Sequence, residues 1–224
     1  GGLPSLYGAH LRKRVTVECV PDDGHGGAAP QPLFMTVSDD KAQLRATSLE
    51  RRKALHGANP QAGEMACDQF LNAIGFPDDA VVSAYLPVKD EFDVLPFVEV
   101  ADLFGHKIGM PVVAAKAKPL KFLQWTPESD LVTGAMGIPT PALDSPVVVP
   151  EFLLVPMMAF DDDGFRLGYG GGFYDRTLAD LRKRNPDTLA VGVCFAGLKV
   201  DHVPRDEYDA RLDWIVTESG AWKI

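Results

Sequence analysis

The sequence predicts an α/β fold: a single three-layer domain with a central, mostly parallel sheet and helices on both faces. Short apolar runs with β-branched residues alternate along the chain with segments of helical period, the pattern of strands joined by helical crossovers. At 224 residues, with 46% hydrophobic and 24% charged residues, the chain is long enough to bury one sizeable core and ordinary in composition. No internal repeat interrupts the body of the chain.

The elements follow in order. A helix is expected from Ser38 to about Leu55, stopping at Gly57, with Ser38 or Asp39 as its cap and Asp39 and Asp40 at its positive end. A second helix, about Gln61–Ile74, places Ala66, Phe70, Ala73 and Ile74 on one face and ends at Gly75 and Pro77. Ala80–Leu86 then reads as a buried strand, Leu95–Phe104 as a helix, Ile108–Val113 as a strand and Lys121–Trp125 as another. Glu151–Phe160 is the strongest strand pattern. Tyr174–Arg184 is an amphipathic helix through Leu178 and Leu181, and Leu189–Phe195 and Trp214–Thr217 complete the sheet. Residues 1–34 lack either period and hold the Gly/Pro-rich run Pro21–Pro32, so they are read as a leader or added segment outside a fold spanning 35–224.

Charge and cysteines narrow the function. A net charge of −9 argues against broad binding to nucleic acid or anionic membrane, while leaving room for a local basic pocket. The most apolar stretch, Val147–Phe160, is too short to span a bilayer and carries Glu151, Pro150 and Pro156. Cys19, Cys67 and Cys194 form neither a zinc spacing nor an even disulfide set, which fits a reducing, cytoplasmic setting.

Parallel sheets place their sites beyond the carboxyl ends of strands. The richest such segment runs from Ala159 through Asp161–Asp163 to Arg166-Leu167-Gly168-Tyr169-Gly170-Gly171-Gly172-Phe173-Tyr174-Asp175-Arg176. Glycines let backbone N–H groups converge on one anion, and the helix that follows adds free N–H groups and its positive end. Arg166 can supply a forked contact to phosphate oxygens, and Asp175 can reach a metal that bridges them. The P-loop spacing is absent, and position 173 breaks the dinucleotide spacing. The same glycines also suit tight helix–sheet packing, so the residues alone leave both readings open. Asp161–Asp163 reads as a turn.

The run Arg-Leu-Gly-x-Gly-x-Gly-Phe-Tyr-Asp-Arg resembles the signature of the 5-formyltetrahydrofolate cyclo-ligase (5,10-methenyltetrahydrofolate synthetase) family. Lys41-Ala-Gln-Leu-Arg45, Ala84-Tyr-Leu86 with Glu91, and Val203-Pro204 followed by Asp209 and Asp213 resemble further family pieces in family order, so the likeness spans about Asp39 to Glu218. The resemblance implies the same α/β fold, with ATP and folate in adjoining clefts. It implies an enzyme that uses ATP and magnesium to close 5-formyltetrahydrofolate, polyglutamylated or not, to 5,10-methenyltetrahydrofolate through a phosphorylated formyl group.

By the same resemblance, Lys41, Arg45, Arg166, Leu167, Gly168, Tyr169, Gly170, Gly171, Gly172, Phe173 and Tyr174 bind ATP, with Arg166 and Lys41 catalytic. Leu86, Glu91 and Tyr174 line the folate site, and Asp175 and Asp209 hold the metal. No basic residue stands between the glycines here, so charge neutralisation falls to Arg166, Lys41, Arg45 and the metal. Lys116, Lys118 and Lys121 form a local basic cluster that either meets a glutamate tail or is solvated. A monomer or weak dimer without nucleic-acid or membrane partners is expected. A related ATP-using enzyme with another small acceptor, or a non-catalytic nucleotide- or folate-binding module, are the alternatives.

Overall fold

The computed structural model describes residues 36–134 and 137–224, and the expected leader at 1–34 lies outside them. The first helix, α1 (Val37–Ala58), starts one residue before the expected Ser38. Its cap is Thr36, not Ser38 or Asp39. Thr36 Oγ1 accepts from Asp39 N–H at 3.3 Å and Asp39 accepts from Thr36 N–H at 2.9 Å, so Asp39 is the return half of a capping box. The helix passes through Gly57 before it ends. α2 (Ala62–Ala73) and α3 (Leu95–Leu103) follow, the latter with Pro96 in its first turn.

The main sheet has eight strands. In chain order they are β1 (Val82–Ser83), β2 (Ile108–Val112), β3 (Lys121–Trp125), β6 (Val147–Val148), β7 (Phe152–Pro156), β10 (Leu189–Val193), β11 (Trp214–Thr217) and β12 (Gly220–Lys223). Two hairpins stand apart: β4 (Leu131–Thr133) with β5 (Pro139–Pro141), and β8 (Ala159–Phe160) with β9 (Arg166–Leu167). α4 (Phe173–Arg184) follows the second hairpin.

The strands lie in the order β12-β11-β10-β7-β1-β2-β3-β6. β11, β10, β7, β1 and β2 are mutually parallel, and β12 and β3 flank them antiparallel. The expected mostly parallel sheet is therefore present. Counted along the chain, the parallel strands take the doubly wound order 2-1-3-4-5, and the order reverses between β1 and β7. The crossovers through α3 and α4 run opposite ways from that divide. Right-handed connections therefore put them on opposite faces and open a crevice at the carboxyl ends of β1 and β7.

Several boundaries differ from expectation. Ala80–Leu86 contributes only Val82–Ser83 as a paired strand, because Ala80 N–H closes a turn onto Pro77 and the chain leaves the sheet after the Ala84 N–H bond to Gly109. Glu151–Phe160 is two strands: Pro156 is the last paired residue of β7, having no N–H to continue the ladder, and Ala159–Phe160 turns into the β8–β9 hairpin. The strand expected over Leu189–Phe195 ends at Val193. A smaller cluster of Met158, Ala159, Leu167 and Val203 lies at the β8–β9 hairpin, and in the main core cluster Phe70 of α2 meets Phe97 of α3 at 5.4 Å and Phe152 of β7 at 5.7 Å between ring centroids. Full burial of such a ring is worth about 1.5–3 kcal/mol, which fixes these helices on the sheet. Among the described residues no helix is long and apolar enough to cross a membrane.

Candidate functional site

The chain leaving β7 makes the β8–β9 hairpin, and Asp161 builds its turn. This carboxylate is buried and accepts from the N–H groups of Phe165 (3.0 Å) and Val203 (2.9 Å). The turn expected at Asp161–Asp163 is thus present, and it ties the Val203–Asp209 segment to the hairpin. β9 then delivers Arg166 and the glycine loop to the crevice.

Gly170 (φ 94°) and Gly172 (φ 61°) take the left-handed conformation that lets the loop fold back and start α4. Gly172 is the N-cap of α4, and no side chain caps it, so the first N–H groups of the helix stay open to a ligand. Gly168 differs. Its φ is not positive, and a Cβ built there would meet nothing within 4 Å. The protein's own packing does not demand glycine at 168, which suits a wall that a ligand approaches closely.

Arg166 is buried and committed at both ends. Its Nη1 donates to Ala210 O and its Nη2 to Asp175 Oδ1, each at 2.7 Å. Asp175 Oδ1 also accepts from Ala210 N–H at 3.1 Å. Strand β9, helix α4 and the Asp209–Ala210 segment are thereby locked into one unit by a charged, hydrogen-bonded pair.

α1 crosses the carboxyl edge of the sheet and supplies cations along one face. Lys41 Nζ donates to Asp209 Oδ2 at 2.6 Å and to Asp206 Oδ2 at 3.0 Å. Burial pulls the Lys41 ammonium down, but these two bonds more than offset it, and its pKa rises above the ordinary value. Arg45 Nε donates to Gly168 O at 2.8 Å. Arg176, on the first turn of α4, donates from Nη2 to Gly171 O at 2.5 Å.

These groups surround one cleft of about 620 Å³. Of the residues assigned to ATP, Lys41, Arg45, Arg166, Leu167, Gly168, Gly170 and Gly172 line it, as do Asp175 and Asp209 assigned to the metal. Gly171, Phe173 and Tyr174 continue the loop into α4 without lining it. Tyr169 points elsewhere: its hydroxyl donates to Glu91 Oε1 and accepts from Arg52 Nη1. The second oxygen of Glu91 accepts from Val88 N–H at 2.9 Å. Burial and the neighbouring Glu91 carboxylate push the Tyr169 phenol well up, so it stays a donor. Leu86 is half-buried and packs on the core. The Tyr174 hydroxyl is buried without a hydrogen-bond partner among the described residues, and its pKa is raised by burial and by Glu91. An orphaned donor of this kind is what a bound ligand relieves.

The donor set fits magnesium. Asp175 and Asp209 each commit one oxygen to the protein and keep the other without a partner among the described residues. The cleft lining carries Lys41, Arg45, Arg166 and Arg176 against Asp175, Asp206, Glu207 and Asp209, so its charges balance. A polyphosphate is best received there together with a cation, and magnesium takes one or two carboxylates plus phosphate and water.

Three features escaped the sequence reading. Arg52 is buried and donates from Nε to Asp90 at 3.1 Å. Its spacing of eleven from Lys41, three turns along the same helix face, was the available signal. Asp206 and Arg176 also reach the cleft. The thiol of Cys67 is buried and pushed up to about 11, in keeping with a structural role.

Comparison with known proteins shows the family and the fold. Residues 37–218 match the sequence profile of the 5-formyltetrahydrofolate cyclo-ligase family. The chain is 33% identical over 180 residues to a 5-formyltetrahydrofolate cyclo-ligase of Escherichia coli, covering 78% of this chain and 98% of that protein. It is 29% identical over 157 residues to the Haemophilus influenzae protein of the same name, covering 68% of this chain and 83% of that one. The solved structure of the Aquifex aeolicus 5,10-methenyltetrahydrofolate synthetase superposes with a TM-score of 0.69 at 29% identity, covering 82% of this chain and 92% of that one.

Proposed function

The chain belongs to the 5-formyltetrahydrofolate cyclo-ligase family, and from that premise we propose that it converts 5-formyltetrahydrofolate and ATP to 5,10-methenyltetrahydrofolate, ADP and phosphate. The observation that carries the proposal is the convergence of Lys41, Arg45 and Arg166 with the glycine loop, Asp175 and Asp209 on one cleft at the divide of the sheet.

The chemistry needs activation, because a formamide oxygen is a poor leaving group. The formyl oxygen attacks the γ-phosphorus, an O–P bond forms, and the bond to the β-phosphate oxygen breaks to release ADP. N10 then attacks the activated carbon, a C–N bond forms, N10 gives up its proton to solvent, and the C–O bond breaks so that the former formyl oxygen departs with phosphate. The protein's share is alignment and charge neutralisation. The open N–H groups at Gly172 and the start of α4 grip phosphate oxygens, and Arg45 faces them from Gly168. Arg166 holds the loop in shape through Asp175 and Ala210. Asp175 and Asp209 would hold magnesium, which supplies charge neutralisation on the polyphosphate. On the acceptor side, Glu91 takes pterin N–H donors, with the Tyr174 hydroxyl buried nearby and without a partner among the described residues.

The test mixes purified protein with 5-formyltetrahydrofolate, ATP and magnesium and follows the near-ultraviolet absorbance of the methenyl product. Product that requires both ATP and magnesium is expected. Folded protein that binds ATP but makes no product defeats the proposal and favours another acceptor or a binding role.

A further inference from the structure

The cations of the cleft fall into two classes. Lys41 is neutralised by Asp209 and Asp206, and Arg166 by Asp175. Arg45 and Arg176 have no carboxylate partner among the described residues; each rests on a carbonyl of the glycine loop, Gly168 O and Gly171 O respectively. They also occupy the space that side chains in the loop would need. A Cβ on Gly170 would lie 3.4 Å from Arg45 Cζ, and one on Gly172 would lie 2.7 Å from Arg176 Nη1. Arg176 carries a further mark: its Nε–H is buried and has no acceptor among the described residues. A buried donor without an acceptor is costly, and on a guanidinium lining a cleft the natural acceptor is an anionic oxygen.

We infer that Arg176 is a polyphosphate-binding residue and that Arg45 and Arg176 form a pair of guanidiniums flanking the glycine loop. Arg45 reaches the loop from α1 and Arg176 from α4, so the anion is gripped by two elements that do not otherwise share a charge pair. The unused Nε and Nη positions of Arg176 present a fork to two phosphate oxygens, a geometry that a lysine does not reproduce. Arg176 stays in place before ligand arrives because Nη2 is anchored on Gly171 and the guanidinium lies 5.3 Å from the Phe173 ring centroid. The inference deepens the proposed function by adding a residue to its phosphate side, and it rests on that reading.

Calorimetric titration with inorganic tripolyphosphate and magnesium separates the two. Arg176→Gln should weaken tripolyphosphate binding by roughly 10–100-fold, the size of a lost charged hydrogen-bond pair, at unchanged thermal stability. Arg176→Lys should recover part of that loss by restoring charge without the fork. In turnover, KM for ATP should rise while KM for the folate substrate stays within about twofold, a split that general loosening of the fold does not produce. A measurement independent of any variant is the Arg176 15Nε–1H resonance of the unaltered protein. It should shift and gain protection from solvent exchange as tripolyphosphate is added. Wild-type affinity in Arg176→Gln, or an Nε signal unmoved at saturating tripolyphosphate, overturns the inference. Unaltered protein that binds tripolyphosphate through Arg176 yet forms no methenyl product defeats the proposed reaction and leaves the guanidinium pair standing.

Discussion

Two stretches of α1 serve surfaces of opposite kinds. Arg45 faces a loop with open N–H groups, and neither it nor Arg176 meets a carboxylate among the described residues. About two turns further, Arg52 meets a surface closed on itself, where Arg52, Tyr169, Glu91, Asp90 and Val88 N–H satisfy one another. The first surface holds positive charge and donors ready for an anion. The second gives its acceptor to an incoming ligand only by exchanging an internal hydrogen bond for an external one. In one enzyme this predicts phosphate affinity that depends on prebuilt geometry and acceptor affinity that depends on competition with Tyr169.

Arg166→Ala breaks the comparison most severely, because the phosphate surface hangs on that side chain. It leaves Asp175 with only the Ala210 N–H bond, and Ala210 O without its donor, at a site where the arginine side chain is only 3% exposed. Loss of one member of a largely buried pair costs about 3 kcal/mol of stability, read by urea denaturation. In protein that remains folded, KM for ATP should rise at least about tenfold, as expected for losing a charged contact. ATP kinetics like those of the unaltered protein would remove the glycine loop from the phosphate site.

Asp209→Asn comes next. The change removes the charge proposed to hold the metal and loosens Lys41 in the same step, since Lys41 Nζ lies 2.6 Å from Asp209. The magnesium concentration for half-maximal rate should rise by about tenfold, the scale of a lost charge-assisted contact. KM for folate should stay put. A magnesium requirement left unchanged would assign Asp209 to anchoring Lys41 alone.

How much of this was legible before folding follows from the range of the interactions. α4 and the loop before it were readable because glycine spacing and a 3.6-residue apolar period are local signals. β3 and β11 matched residue for residue because apolar, β-branched or aromatic residues fill β11 and Phe122, Leu123 and Trp125 dominate β3. β12, β6 and the β4–β5 hairpin were not read, since they are short and largely exposed or half-exposed and owe their pairing to neighbours in space. The site shows the same limit. The residue types at 166 and 175 suggested phosphate and metal chemistry and the family resemblance added 41 and 209, but Lys41 meets Asp209 across 168 positions, and no spacing rule pairs them. Arg176 stands in the recognised run, where the sequence gives it no role. Only the folded loop shows its donor without an acceptor.

The glycines sharpen the comparison within the phosphate surface. Gly170→Ala forces a side chain into a backbone at φ 94° and toward Arg45, so it should cost about 1–2 kcal/mol in thermal unfolding. Gly168→Ala meets nothing in the protein, so its stability should stay within about 0.5 kcal/mol of the unaltered protein. If a phosphate approaches there, its KM for ATP should nonetheless rise several-fold. A Gly168→Ala protein with unaltered ATP kinetics would place the bound polyphosphate away from that wall.

Tyr169→Phe carries the smallest expected effect and tests the other surface. The phenol donates to Glu91 Oε1 while Val88 N–H occupies Oε2, so a pterin donor must displace Tyr169 to reach the first oxygen. Exchanging one hydrogen bond to the Glu91 carboxylate for another is worth about 1 kcal/mol net, hence roughly a fivefold gain in affinity when the Tyr169 bond is removed. KM for 5-formyltetrahydrofolate should fall by about that factor while KM for ATP stays level, because the Tyr169 side chain points away from the phosphate cleft. A rise in folate KM instead would mean that Tyr169 orients Glu91 for the substrate rather than competing with it. The acceptor surface would then be as prebuilt as the phosphate one.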